Sequence, residues 1–294
     1  MRVGSAFIED TFAEAFGMCG ARVTITAASE KWAIEAARAA TGFGTSIIGC
    51  GVEAGIEAVA TSTPDGRPGV HCLFFTVSAE DMEKQLIARV GQAVMTCPTT
   101  ACYNGLPGAE KRVNIGGRLR FFGDGYQSSK VLDGRRFWRI PVMEGEFLVE
   151  EEFGVARGVG GGNFIVMAGS SSLALRAAEV AVEAMREVPG VILPFPGGVV
   201  RSGSRVGSRY AFLRASTNAA MCPTLRGRVS GTQVPEGVNS VLEIVMDGLS
   251  LDSVVEATRI GVTSACMDGI QAVTAGNYGG KLGKYHIHLR QVLE

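Results

Sequence analysis

The hydrophobic pattern of this chain switches between a period of 2 and a period of 3.6 in the same order twice, and this constrains the fold more than any single motif. Residues 22–26 (RVTIT) read as a strand, and 30–40 as an alanine-rich helix with Trp32 placed to anchor it to a core. Residues 45–50 and 70–77 read as strands on either side of a dense turn signal, 63–69 (TPDGRPG). Ser78 suits a helix N-cap, with Asp81 and Glu83 in the first turn to complement the dipole. That helix should run to about Thr96 and stop before Pro98. The second half repeats the rhythm. Residues 163–168 read as a strand, and Ser171 or Ser172 caps a helix that Pro189-Gly190 stops after Glu187. Residues 191–193 and 241–246 read as strands, Asp247-Gly248 as a turn, 252–265 as a helix and 271–274 as a strand. Strand–helix–strand, taken twice in each half, is the split βαβ unit. The predicted fold class is therefore α+β: two ferredoxin-like lobes with antiparallel sheets, residues 1–155 and 156–294. Strand order within each sheet does not follow from spacing.

The chain has 294 residues, which suits two domains of ordinary size or one large one, and 46% of them are hydrophobic, enough for sizeable cores. A net charge of −1 and a pI near 6.4 argue against a general nucleic-acid binder. The seven cysteines are scattered without a C-x-x-C pair, as expected for reduced thiols in a cytoplasmic protein. Cys97 and Cys102 read as small buried hydrophobes. The first residues lack an apolar signal core, and no run of 18 apolar residues predicts a membrane span. His286 and His288 would share one strand face, but without nearby acidic or thiol ligands they do not point to a metal. No G-x-S-x-G elbow is present. The glycine run 158–163 precedes a strand and does not link strand to helix, which is the wrong context for a dinucleotide fingerprint. Phe121, Phe122, Phe137, Trp138 and Phe147 concentrate aromatic bulk in residues 116–160. They suit sheet and interface packing better than a ligand-stacking surface.

Two segments combine glycine with positive charge: 195–207 (FPGGVVRSGSRVG) and 276–285 (GNYGGKLGKY). Each can be a pair of tight turns, or a loop whose backbone closely approaches an elongated anionic ligand. A third feature is Glu243, one carboxylate among five apolar residues in VLEIVM, sharing a strand face with Val241 and Val245. If that face is buried, desolvation holds the carboxyl protonated near neutral pH and fits it for proton transfer to and from amines. If the face is open to water, Glu243 is a solvated surface residue.

These segments, together with 8–16 (IEDTFAEAF), 40–46 (ATGFGTS), 53–57 (EAGIE), 63–69, 121–126 (FFGDGY), 161–164 (GGNF) and 221–225 (MCPTL), carry a resemblance. In their order and over nearly the whole length, the chain resembles the formylmethanofuran:tetrahydromethanopterin formyltransferases. The resemblance implies formyl transfer between a methanofuran-type amine and N5 of tetrahydromethanopterin. It implies no metal or prosthetic group, with methanofuran or methylofuran and tetrahydromethanopterin as cosubstrates. It implies ferredoxin-like lobes and a homodimer or homotetramer with active sites near subunit contacts. The family's proposed catalytic glutamate lies in a motif that Glu243-Ile-Val-Met-Asp-Gly248 matches. Both cosubstrates carry anionic groups, which gives the basic loops a use. Arg201, Ser202, Ser204, Arg205, Asn277, Lys281 and Lys284 are the candidate contacts. Some features depart from the archaeal pattern: Gly51 and Val52 replace Pro-Ala, and Arg201 replaces an alanine. Residues 133–147 (DGRRFWRIPVMEGEF) look more like the version from methylotrophs. That version belongs to a formyltransferase/hydrolase complex of formaldehyde oxidation. The contrasting reading is a non-catalytic ferredoxin-like structural or cofactor-binding subunit. No nucleic acid or membrane partner is expected.

Overall fold

The computed structural model describes residues 1–294. Two strands of unusual length organise it, Phe12–Thr26 and Glu152–Ala168. They pair antiparallel where Phe16 to Gly20 lies against Gly160 to Ala156, and each runs on into a different hydrophobic core. One core gathers side chains from Ala21 to Val155, the other from Ala6 to Ala15 together with Val159 to Leu289. The first residues of the chain thus pack with its second half. Parallel pairing of Ala6–Ile8 with Ile270–Thr274 reinforces this exchange.

Nearly all the strands connect into one large sheet with few helices. Two pairings are parallel: Ala6–Ile8 with Ile270–Thr274, and Ala101–Asn104 with Gly145–Glu150. The sheet is therefore mixed, where the sequence reading expected antiparallel pairing. The second pair is joined by a long connection, which a parallel arrangement requires. The helices dock through small residues. Glu30–Thr41 buries Ala33, Ala36, Ala37 and Ala40, a stripe at helical spacing. Ser171–Met185 and Leu251–Ala265 pack together so closely that a methyl group at Gly261 would run into Met185 Sδ of the facing helix, as well as the Phe164 ring of the sheet below at 2.8 Å.

Several local readings need correction. Trp32 lies one position off the alanine stripe, remains 39% exposed and anchors nothing in the core. The segment 45–50 is a strand only over Thr45–Ser46 before it turns into the short helix Ile47–Cys50. The cap of the third long helix is Ser170, whose Oγ accepts from the Leu173 N–H at 3.3 Å. The helix after Ser78 loses α geometry at Arg89 and continues as one π turn, Val90–Val94. Asp247 and Gly248 do not turn. They extend the strand Ser240–Gly248 because Val191–Ile192 pairs alongside them. The glycines of 158–163 lie inside a strand, where a bulge between Val159 and Gly162 shifts the register.

Candidate active site

Glu243 stands in the middle of a row crossing four segments: Val200, Glu243, Ile165 and Thr274 lie side by side in register. The Glu243 and Val200 backbones exchange two hydrogen bonds, of 2.7 and 2.9 Å. Strand alternation sends Ile244 and Met246 into the helix-covered core and turns Glu243 to the other face. That face is not open. Met221, Val234 and Val238, from the long excursion between Val200 and Ser240, pack over Ile165, Met167, Ala272 and Val241. Glu243 is left half-buried, and burial alone pushes its carboxyl up to about 7. Of the two readings open at the sequence level, the desolvated one holds.

Both glycine-rich segments reach this row. The first contains Val200 itself, so Arg201 and Ser202 follow directly from the Glu243 pairing and are exposed. Ser204 and Arg205 are exposed as well, and Arg205 lies in the two-residue strand Arg205–Val206, its Nε 3.4 Å from Ser216 Oγ. The second segment leaves the strand that ends at Thr274. Its root is clamped by Asn163, the residue paired with Val245: Gly276 N–H donates to Asn163 Oδ1 at 2.6 Å, and Asn163 Nδ2 donates to Gly276 O at 3.2 Å. Lys281 and Lys284 are exposed, with Lys284 Nζ over the Tyr285 ring. None of Arg201, Arg205, Lys281 or Lys284 enters an ion pair within the chain, unlike Arg22, whose guanidinium grips Glu57 at 2.5 and 2.6 Å. Asn277 serves the loop itself. Its Nδ2 donates to Thr11 Oγ1 and Phe12 O at 3.2 and 3.1 Å, and its Oδ1 accepts from the Gly279 N–H.

The second loop does hold an anion, and that anion is part of the chain. Glu14, 1% exposed, accepts hydrogen bonds from the N–H groups of Tyr278, Gly280, Leu282 and Gly283, at 2.6, 2.9, 2.5 and 2.5 Å. Burial works to raise the Glu14 pKa, but the four backbone donors outweigh it and hold the group at about 2. Sequence reading passed over Glu14, although FAEAF carries the same signal as VLEIVM: one carboxylate in an apolar strand. Tyr278, whose N–H is one of the four donors, keeps a partly exposed ring. Burial, then the charges of Glu243 and Glu14, raise its phenol pKa, and its ring centroid lies 6.3 Å from that of Phe16.

A second pair of acids was also missed. Asp247, fully buried, accepts from Gly161 N–H at 2.9 Å and faces Glu53 from the other half of the chain. Burial raises both carboxyls, most of all that of Asp247, which the nearby Glu53 charge raises further and whose Oδ2 is buried without a hydrogen-bond partner. His286 and His288 share a strand face, as read, and both rings pack on Phe12 at 4.8 and 5.2 Å. Of the aromatic group, Phe137, Trp138 and Phe147 are buried, while Phe121 and Phe122 are exposed.

The family model described as formylmethanofuran-tetrahydromethanopterin formyltransferase matches residues 1–142, and that of the family's proximal lobe matches 145–292. The chain belongs to this formyltransferase family. The formyltransferase of Methylobacillus flagellatus is 54% identical over the full length of both chains. Two solved structures are equally similar in sequence, at 48% identity. The Methanosarcina barkeri formyltransferase superposes with a TM-score of 0.94, covering 99% of this chain and 100% of that one. The formyltransferase/hydrolase complex of Methylorubrum extorquens, solved with methylofuran, gives a TM-score of 0.96, covering 100% of this chain and 99% of the matched one.

Proposed function

We propose that this enzyme moves a formyl group reversibly between the amine of a methanofuran-type cofactor and N5 of tetrahydromethanopterin, with Glu243 as the proton shuttle. The observation that carries this reading is a carboxyl desolvated to a pKa near 7 at the meeting point of two loops with unpaired cations. N5 attacks the formyl carbon, its lone pair forms the new C–N bond, and the carbonyl π pair moves to oxygen. Collapse of the tetrahedral intermediate re-forms the carbonyl and breaks the bond to the furfurylamine nitrogen. An amide anion is a very poor leaving group, so that nitrogen must be protonated as it departs. Glu243 gives the proton and recovers one from N5, which closes the cycle. A pKa near the working pH serves both transfers. Arg201, Arg205, Lys281 and Lys284 attract the anionic parts of the cosubstrates, with Ser202, Ser204 and Asn277 beside them. Asn277 contributes by shaping the loop.

The reading extends to architecture and setting. The two hydrophobic cores support two ferredoxin-like lobes divided in sequence near residue 155, with residues 1–16 crossing to the second. No helix is long and apolar enough to cross a membrane. The 133–147 segment and the likeness to the methylofuran complex favour a cytoplasmic, homo-oligomeric subunit of a formyltransferase/hydrolase complex in formaldehyde oxidation. A purely structural subunit would have no use for the uncompensated carboxyl of Glu243. The test is formyl transfer from the formylated furfurylamine cofactor to tetrahydromethanopterin, followed by pterin absorbance, with Glu243→Gln in parallel. Turnover lost in the variant supports the assignment. Full turnover in the variant removes Glu243 from the chemistry.

A further inference from the structure

We propose that Glu14 is a positioning residue for cosubstrate binding: its carboxylate fills the backbone nest of the loop after Thr274 and so fixes where Lys281 and Lys284 stand to meet an anionic cosubstrate. The inference rests on the contact role proposed for these two lysines and goes beyond it by assigning what holds them in place.

The loop is closed at both ends on the strand that carries Glu14. Thr274 ends the last strand of the active row, beside Ile165, which in turn pairs with Glu243. Two residues on, Gly276 is clamped to Asn163, and its carbonyl accepts from the Glu14 N–H at 3.3 Å. The chain returns at Tyr285–His288, where Tyr285 pairs with Ala15 and His286 with Glu14. Strand alternation buries Ala13 and Ala15 in the second core and turns the Glu14 side chain to the other face, under the loop.

No side-chain cation pairs with Glu14. Its Oε2 accepts from the N–H groups of Tyr278 and Gly280, and its Oε1 from those of Leu282 and Gly283. The donors therefore bracket Lys281 on both sides and stop one residue short of Lys284. Gly279 and Gly280, with φ of 71° and 72°, take the left-handed conformation that turns successive amides inward. The amides point in, while Lys281, Leu282 and Lys284 stay exposed. A nest of this kind receives a phosphate or a carboxylate, and here the chain's own carboxylate occupies it. The loop is shaped before a cosubstrate arrives. Its four inward amides are already engaged, so recognition of an anion falls to the two ammonium groups. Such preorganisation lowers the ordering cost of binding, which appears in KM and not in the chemical step. Gly283 shows how closely the parts fit: a methyl group there would lie 2.6 Å from Glu14 Cγ and 2.7 Å from Ala15 O.

The test compares the full-length enzyme, Glu14→Gln, Lys281→Ala with Lys284→Ala, and all three substitutions together. Steady-state formyl transfer from the formylated furfurylamine cofactor to tetrahydromethanopterin is measured beside amide hydrogen exchange over residues 276–285. A glutamine keeps one acceptor oxygen and turns an NH2 group toward the other pair of N–H groups, which releases half of the nest. Glu14→Gln should speed exchange in the loop and raise at least one cosubstrate KM about tenfold, with kcat much less affected. Without the lysines, the same substitution should change that KM by less than about twofold, since residues that act through one another are not additive. If Glu14→Gln does not fold, Gly283→Ala loosens the same grip and should give the same pattern. Unchanged exchange, wild-type Michaelis constants, or an equal KM rise with and without the lysines overturns the inference while leaving the lysines as contacts. Wild-type Michaelis constants in the lysine variant overturn both.

Discussion

At the residue scale, the site depends on two carboxylates made different by their surroundings. Glu243 is half-buried without donors and sits near 7, while Glu14 is almost wholly buried but has four donors and sits near 2. The first can exchange a proton at neutral pH, and the second remains an anion. The unpaired cations form a separate group. Charge-assisted hydrogen bonds are worth about 1.5–3 kcal/mol each, so Arg205→Glu or Lys281→Glu should raise at least one cosubstrate KM by roughly tenfold or more, with kcat much less affected. Unchanged Michaelis constants would remove that cation from the binding surface. Glu243 was legible in the sequence because a lone acid in an apolar strand is costly to bury and stands out from the alternation around it. Asn277 drew notice for its company in the loop, and its amide proves to be committed to Thr11 and Phe12. Asn163 gave no signal, because its value lies in a contact with Gly276 that spans most of the second half.

At the element scale, the loop over Glu14 makes stability depend on pH in a direction that can be worked out. The Glu14 pKa falls from its ordinary 4.5 to about 2 on folding, so its contribution is present above 4.5 and is lost as the pH drops toward 2. The Glu243 pKa rises from 4.5 to about 7, so its contribution is present below 4.5 and is lost as the pH rises through 7. Chemical denaturation across pH should show the acid-side loss shrinking in Glu14→Gln and the neutral-side loss shrinking in Glu243→Gln. Gly283→Ala should cost about 1–3 kcal/mol, the usual range for overpacking, measured by the same denaturation. An unchanged midpoint would mean that the loop is not clasped as described. The long helices were readable from periodicity, because apolar spacing is local, but of the two organising strands only the ends, 22–26 and 163–168, were. The breaks in them were not. The π turn after Arg89 and the strand continuing through Asp247 depend on neighbours distant in sequence.

At the scale of the whole molecule, the two halves are joined through long shared strands and meet at the buried acid pair Glu53 and Asp247. The Asp247 pKa is raised by burial first and by the Glu53 charge second, so this junction is most stable at low pH and weakens as the pH rises past the ordinary carboxylate range. Asp247→Asn should flatten that decline in thermal midpoint from pH 5 to 8. A decline as steep as in the wild type would show that the pair holds no proton. The twofold rhythm was visible in the sequence. The crossing of residues 1–16 into the second core was not, because hydrophobic pattern does not say which partner an apolar face will find. A protonated Glu243 that carries the transfer is read from the pH dependence of kcat for formyl transfer, wild type against Glu243→Gln. The wild-type rate should fall on the alkaline side with a midpoint near 7, and the variant should be slower by about 10²–10⁴-fold with that limb gone. A variant that keeps both the rate and the limb would contradict the account.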